Sequence, residues 1–418
     1  MNLIDLSSFQ EVNGQRQLTW MQQFDYIREA GTAGEAKAAQ TILDNLKEMG
    51  IPAETESFEI DRPVIHKASL SVTAPYEETL TAAGYGGCSN TPEGGITAPF
   101  YYAENGDPIS LSQASGKIVM INQPARPDMV QRLVKADAVG FITITGTPID
   151  EGEDLIPANR SLPPKAEISI PGIILHHVDA VRLVESGAQE VCLTLQQEVV
   201  KATSQNVIAR VAGTDLADEV LTLTAHYDSV PAGKGAYDNL AGAAIIMEVL
   251  RYFAAHQPRR TIEFVWFGAE ERGLVGSRHY VTAREAEMEK HQFNMNVDLA
   301  GQLIGGTVIG VTGDASICTL MESMAAEIGL GIGTKNQIWG SDSNSFAWKG
   351  VPAMTLNRDG FGMHTRHDTL DLISPWSLER SARLLTYIAA RLDKLPVMPF
   401  PRQIPEEFAT HLSRFMNR

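Results

Sequence analysis

Two runs decide how this chain folds: residues 221–250, LTLTAHYDSVPAGKGAYDNLAGAAIIMEVL, and residues 261–277, TIEFVWFGAEERGLVGS. In the first, Leu221, Leu223 and Ala225 alternate with Thr222 and Thr224, the period of a β-strand. That strand ends in His226-Tyr227-Asp228. A glycine-rich loop then carries Asp238-Asn239 into a helix marked by Ile245, Ile246, Val249, Leu250 and Phe253. The second run opens with a buried strand, Ile262 to Phe267, stops at Gly268 and presents two adjacent acids, Glu270 and Glu271. Polar residues thus sit just past the carboxyl ends of two strands, where open α/β sheets bind ligands.

The same alternation of strands and helices extends outward. Asn206–Val211 predicts a strand before the first run. Asn294–Leu299 predicts one after the second, with Asp298 at its carboxyl end. Strands at Thr307–Val311 and Val351–Leu356 flank a helix at Ile317–Ile328, and the polar loop Gly362–Thr369 carries His364 and His367. A helix at Trp376–Leu395 closes the domain, and the Pro-rich remainder reads as a surface tail. Toward the N-terminus, Trp20–Arg28 predicts a short helix. Thr32 and Glu35 form a capping-box pattern ahead of Ala39, Ile42, Leu43, Leu46 and Met49 at helical spacing, and a strand follows at Glu54–Ile60.

At Arg62-Pro63 the character changes. Residues 64–201 show short β patterns at Ala68–Thr73, Lys117–Asn122, Gly140–Ile144, Gly172–Leu175 and Val191–Leu195, with helices at Met129–Lys135 and Val178–Glu185. His176-His177 invites a metal reading, but adjacent residues of an extended segment face opposite ways, so a loop or helix-entry role is expected. The expected fold is α/β, a mixed, mainly parallel central sheet flanked by helices. A first catalytic segment at 1–63 and a main one at 202–418 enclose a β-rich insert at 64–201.

Composition narrows the function. A net charge of -17 over 418 residues argues against a nucleic-acid surface and suits a metal ion or an amine-bearing substrate, with plain solubility the ordinary alternative. Cys88, Cys192 and Cys318 are too few and too scattered for a disulfide framework or a Cys-rich zinc site. The N-terminus has no basic stretch followed by an apolar one, and no later run is long enough to span a membrane. A cytoplasmic location is the resulting expectation, or secretion had a leader been trimmed away.

Each candidate residue has an ordinary alternative. His226 suits zinc with Asp228 behind it, although structural histidines are commoner. Asp238 alone reads as a helix cap, and Glu270-Glu271 alone as a solvated turn. Asp298 in an apolar strand needs a partner. Taken together, His226, Asp238, Glu271, Asp298 and His364 are two imidazoles and three carboxylates at predicted strand ends or just beyond them. Five such ligands suit two metals sharing one carboxylate and an activated water.

These motifs resemble, in family order, the M28 zinc aminopeptidases. They are the H-x-D at 226–228, G-A-x-D-N-x-x-G at 235–242, W-x-G-A-E-E-x-G-L-x-G-S at 266–277, N-x-D-x-x-G at 296–301 and H-T-x-x-D-T at 364–369. Residues 64–201 resemble, less sharply, a protease-associated (PA) domain inserted into the catalytic one. The resemblance implies two zinc ions bridged by Asp238, with His226 and Asp298 on one and Glu271 and His364 on the other. It also implies Glu270 as general base, Asp228 behind His226, a cis Asp238–Asn239 peptide, and peptides as substrates. Met363 stands where some members carry Tyr before the last His. A carboxypeptidase or dipeptidase of the same family is the alternative enzyme, a glutamine cyclase a further one, and a catalytically silent PA-bearing binding protein the alternative class. Oligomeric state is not readable.

Overall fold

The computed structural model describes residues 6–162 and 168–416. The chain divides into two compact units, Met1–Ile60 with Ala202–Arg418, and Asp61–Lys201. The larger unit is built on a sheet whose central strands are Arg260–Phe267, Leu216–His226, His291–Val297 and Ala353–Arg358. They lie side by side in that order and run parallel. Residues 207–211 pair antiparallel with Arg260–Phe267 on one side, and Thr307–Thr312 pairs antiparallel with Ala353–Arg358 on the other.

Parallel strands bury both faces, so the polar residues that alternate with the apolar ones, Thr222, Thr224, Asn294 and Asn296, are buried as well. In Arg260–Phe267, Phe264 and Trp266 enter one core while Val265 and Phe267 enter another, the two-residue alternation of a strand. Helices Gly14–Met21, Ala33–Glu48, Ala241–Ala255, Ser316–Glu327 and Pro375–Lys394 complete the larger core. Val275–Ala283 and Ser343–Trp348 cover the smaller one. The buried Trp266 indole keeps its donor satisfied by the Ala243 carbonyl at 3.0 Å.

From Leu216–His226 the chain goes to one side to form Arg260–Phe267, then crosses to the other for His291–Val297. That reversal opens a crevice past the carboxyl end of Leu216–His226 and its neighbours, the place where open α/β sheets hold ligands. The architecture is the mixed, mainly parallel α/β sheet expected from the sequence.

In Asp61–Lys201, strands Gly172–His176, Gly140–Thr145, Ile118–Ile121 and Ile96–Tyr102 lie parallel in that order over a separate core. His176 is buried, and its Nδ1 accepts the Val178 N–H at 3.2 Å, capping helix His177–Glu185, while Nε2 lies 3.0 Å from Asp150 Oδ2. This is the helix-entry role expected of it.

Three local expectations are corrected. The helix placed at Trp20–Arg28 is Gly14–Met21 plus a 3-10 turn at Gln22–Phe24. The chain leaves helical geometry at Asp25 and sends Arg28 into the interior. Glu54–Ile60 and Ala68–Thr73 are parts of one strand, Ala53–Ala74. The supposed surface tail contains a helix, Glu406–Met416, with Leu412 and Met416 fully buried, and Phe400 packs 5.0 Å from Phe293. Its prolines masked the helical spacing of Leu412 and Met416. Among the described residues no helix is long and apolar enough to cross a membrane.

The docked C-terminal helix has a measurable consequence. Leu412→Ala removes a fully buried side chain and should destabilise the larger unit by about 2–4 kcal/mol. In a thermal scan followed by circular dichroism the midpoint should fall, whereas an unchanged midpoint would mean the helix does not dock.

Candidate metal centre

Four neighbouring strand ends deliver the site. His226 ends Leu216–His226 and Asp298 follows His291–Val297 directly. Glu270 and Glu271 lie just past Arg260–Phe267, and His364 lies in the loop after Ala353–Arg358. Asp238 is presented by the irregular turn Ala236–Leu240, which enters helix Ala241–Ala255 through a cis Asp238–Asn239 peptide. The Asn239 amide donates to the Val297 carbonyl at 2.7 Å and accepts the Leu299 N–H at 3.3 Å, fastening this turn to the strand that bears Asp298.

Asp238 sits in the middle. Its Oδ1 is 3.2 Å from His226 Nε2, and its Oδ2 is 3.0 Å from His364 Nε2. Asp298 Oδ1 lies 3.6 Å from His226 Nε2, and Glu271 Oε2 lies 3.1 Å from His364 Nε2. The result is two sets of three donors, His226–Asp238–Asp298 and Asp238–Glu271–His364, each with its ligand atoms within 4.8 Å of one another. Glu270 Oε2 stands beside them, 3.9 Å from His226 Nε2, and belongs to neither set. Ser341 Oγ donates to Asp298 Oδ2 at 2.7 Å, the partner this acid needed. His367 belongs to neither set.

So many buried acids in one place disturb each other. Burial and the neighbouring Asp238 carboxylate push Glu271 up to about 7. Burial also raises Glu270 well above the usual carboxylate range, His226 opposing it, with Asp342 and Glu271 adding to the rise. Burial alone would keep His364 neutral, yet its bonds to Asp238 and Glu271 outweigh that and raise it to about 10. The cluster calls for positive charge. Zinc fits the donors, which are imidazole nitrogens and carboxylate oxygens of the kinds it binds. Glu271 Oε1 is buried without a hydrogen-bond partner, an acceptor left for a cation.

The backbone around the site is tightly held. Asp228 Oδ1 lies 3.4 Å from His226 Nδ1, and its firmer contacts are the N–H groups of Glu270 at 3.0 Å and Glu271 at 3.2 Å. Asp368 accepts the N–H groups of Tyr237 at 2.6 Å and Asp238 at 3.0 Å. Ala269, Leu274, Leu299 and His364, all beside or within the site, adopt positive φ although none is glycine. Strain of this kind persists only where the surroundings over-determine it. A side chain at Gly268 or Gly276 would collide with neighbouring backbone, whereas Gly273 faces open space and is required by its φ of +95°.

Arg28 went unread in the sequence. It is wholly buried, and its guanidinium donates to the carbonyls of Tyr227 at 2.7 Å, Lys234 at 2.6 Å and Gly235 at 2.9 Å. It therefore ties the His226–Asp228 strand end to the loop that leads into Asp238. Burial lowers it to about 10, partly offset by Asp228. A lone arginine in a loop carries no pattern, and its partners lie about 200 residues away, so no local signal could have found it.

With the geometry established, comparison with known proteins is direct. Residues 206–389 match the model of peptidase family M28. Aminopeptidase YwaD of Bacillus subtilis (strain 168) is 29% identical over 394 residues, covering 88% of this chain and 82% of that protein. Carboxypeptidase Q of Homo sapiens is 25% identical over 408 residues, with 88% and 83% covered. The solved structure of BSAP, a zinc aminopeptidase from Bacillus subtilis, has a TM-score of 0.79 and 25% identity, covering 95% of this chain and 99% of that one. The family resemblance carried by the motifs is borne out.

Arg28→Met should leave several buried carbonyls unpaired and destabilise the larger unit by about 3–5 kcal/mol. Denaturant unfolding followed by tryptophan fluorescence should show the midpoint fall, and an unchanged midpoint would show that Arg28 does not secure these loops.

Proposed function

The chain carries an M28-family peptidase domain, and from that premise we propose that it is a co-catalytic di-zinc aminopeptidase releasing the N-terminal residue of peptides. One observation carries the reading. The two oxygens of Asp238 face different histidines, and each of the two donor sets contains Asp238. His226, Asp298 and Asp238 would hold one ion, and Glu271, His364 and Asp238 the other. Zinc bound there would acidify a water and polarise the scissile carbonyl.

The rest is the work of side chains. Glu270 belongs to neither ligand set yet stands beside His226, so it serves as general base, taking the proton of the attacking water and returning it to the leaving amine. Asp228 faces His226 Nδ1 and holds the backbone of Glu270 and Glu271, which keeps base and ligands in register. A substrate α-ammonium is attracted to a centre made of carboxylates, and that selects a free N-terminus. Met363, 45% exposed beside His364, has no donor to offer a developing oxyanion.

A second reading is a carboxypeptidase or dipeptidase, favoured by the likeness to carboxypeptidase Q over 88% of the chain. A catalytically silent protein would be expected to lack ligands, and all five stand together here. We further read Asp61–Lys201 as a protease-associated insert.

The test is hydrolysis of leucine p-nitroanilide beside its N-acetylated form and a dipeptide bearing a free carboxylate but a blocked amine. Only the free-amine substrate should be cleaved, a chelator should abolish the cleavage, and Glu270→Gln should lower kcat by about 10²–10⁴-fold. Cleavage of the blocked dipeptide alone would establish the second reading. No turnover of any substrate by zinc-loaded protein would sink both.

A further inference from the structure

Among the deeply buried carboxylates to which the proposed reaction gives no task, Glu35 reaches the backbone of the site. Glu35, in the first turn of helix Ala33–Glu48, is 1% exposed. As half of a capping box its side chain would return to the N–H of Thr32, the cap residue. Only the Thr32 half of that expectation holds, with its hydroxyl accepting the Glu35 N–H at 3.5 Å. The Glu35 carboxylate goes elsewhere. Oε2 accepts the Gly31 N–H at 2.6 Å, and Oε1 accepts the Ser204 hydroxyl at 2.6 Å and the Ala269 N–H at 3.2 Å.

The contact with Ala269 is the informative one. The next two N–H groups along the chain, those of Glu270 and Glu271, both go to Asp228. Three successive backbone donors are therefore gripped by two carboxylates, one from the N-terminal segment and one from the neighbouring strand end. Ala269 is held at φ 54°, a conformation that L-residues rarely adopt unsupported. A side chain at Gly268 would come within 2.8 Å of Glu35 Oε1 and 2.6 Å of Ser204 Oγ, so the turn is pressed directly onto this carboxylate. That turn sends Glu271 toward His364 and leaves Glu270 beside His226.

We propose that Glu35 is a positioning residue for the Glu270–Glu271 pair, fixing through the Ala269 N–H the turn that aims one acid at the shared centre and the other at the attacking water. The inference rests on the peptidase reading above. Its chemistry is specific. Each oxygen of Glu35 meets a backbone N–H, which can only donate: Gly31 at Oε2 and Ala269 at Oε1. A glutamine of the same shape must turn its amide NH₂ toward at least one of them. A residue that merely fills space would tolerate that exchange.

Glu35→Gln should lower kcat toward a free-amine substrate about tenfold or more, with KM within about twofold, because small misplacements of reacting groups are costly. Hydrogen exchange of the chelated, metal-free protein should show faster exchange over 268–273 in the variant, a readout independent of turnover. Thr32→Ala, which removes the cap of the same helix but leaves the carboxylate in place, should lower the melting temperature with kcat unchanged. Wild-type kcat and unaltered exchange in Glu35→Gln would overturn the proposal. If that variant fails to fold, Ser204→Ala decides: a kcat lowered about threefold supports the grip, and one unchanged from wild type overturns it. An inactive wild type would sink the peptidase reading itself, whereas an active wild type with an indifferent Glu35→Gln would sink only this inference.

Discussion

The sharing of one carboxylate between two histidines is the constraint from which the rest of the structure follows. Asp238 can face His226 with one oxygen and His364 with the other only if its turn comes back over the end of the strand that carries His226. The parallel sheet makes this possible by ending four adjacent strands at one edge. It also creates the difficulty, because several acids are then buried together and cannot all be ionised without positive charge among them. The same crowding that is poor for an isolated fold is what a cationic centre requires.

Hydrogen bonds between backbone groups and buried charged side chains hold the candidate ligands Asp238 and Glu271. Arg28 binds carbonyls on both sides of the loop that leads to Asp238, and Asp368 takes the two N–H groups at Tyr237 and Asp238. Asp228 does the same for Glu270 and Glu271. The turns that carry Asp238 and the Glu270–Glu271 pair are thus held by buried charged side chains from other parts of the chain. Such charges are expensive to bury alone, but each is met here by several hydrogen bonds. This arrangement gives the positive-φ residues around the site something to be held by.

How much of this could be read beforehand follows from the range of each interaction. Leu221–Ala225 announced itself by its two-residue alternation and Ile262–Phe267 by its largely apolar run. His226, Asp238, Glu271, Asp298 and His364 were legible as polar groups placed where apolar strands stop, and the structure brings them together. Arg28 and the true destination of Glu35 were not, because their partners lie far away in sequence. Asp228 was read as facing His226, and its grip on two backbone amides could not be inferred from a two-residue spacing. The C-terminal helix was hidden by the prolines before it, although Leu412 and Met416 already had helical spacing.

The most direct test of the central claim is anomalous diffraction at the zinc edge from crystals of the zinc-loaded protein. The account predicts two peaks about 3.5–4 Å apart, one on each side of the Asp238 carboxylate. The first should lie toward His226 and Asp298, and the second toward Glu271 and His364. A single peak, or two peaks that do not share Asp238, would contradict it.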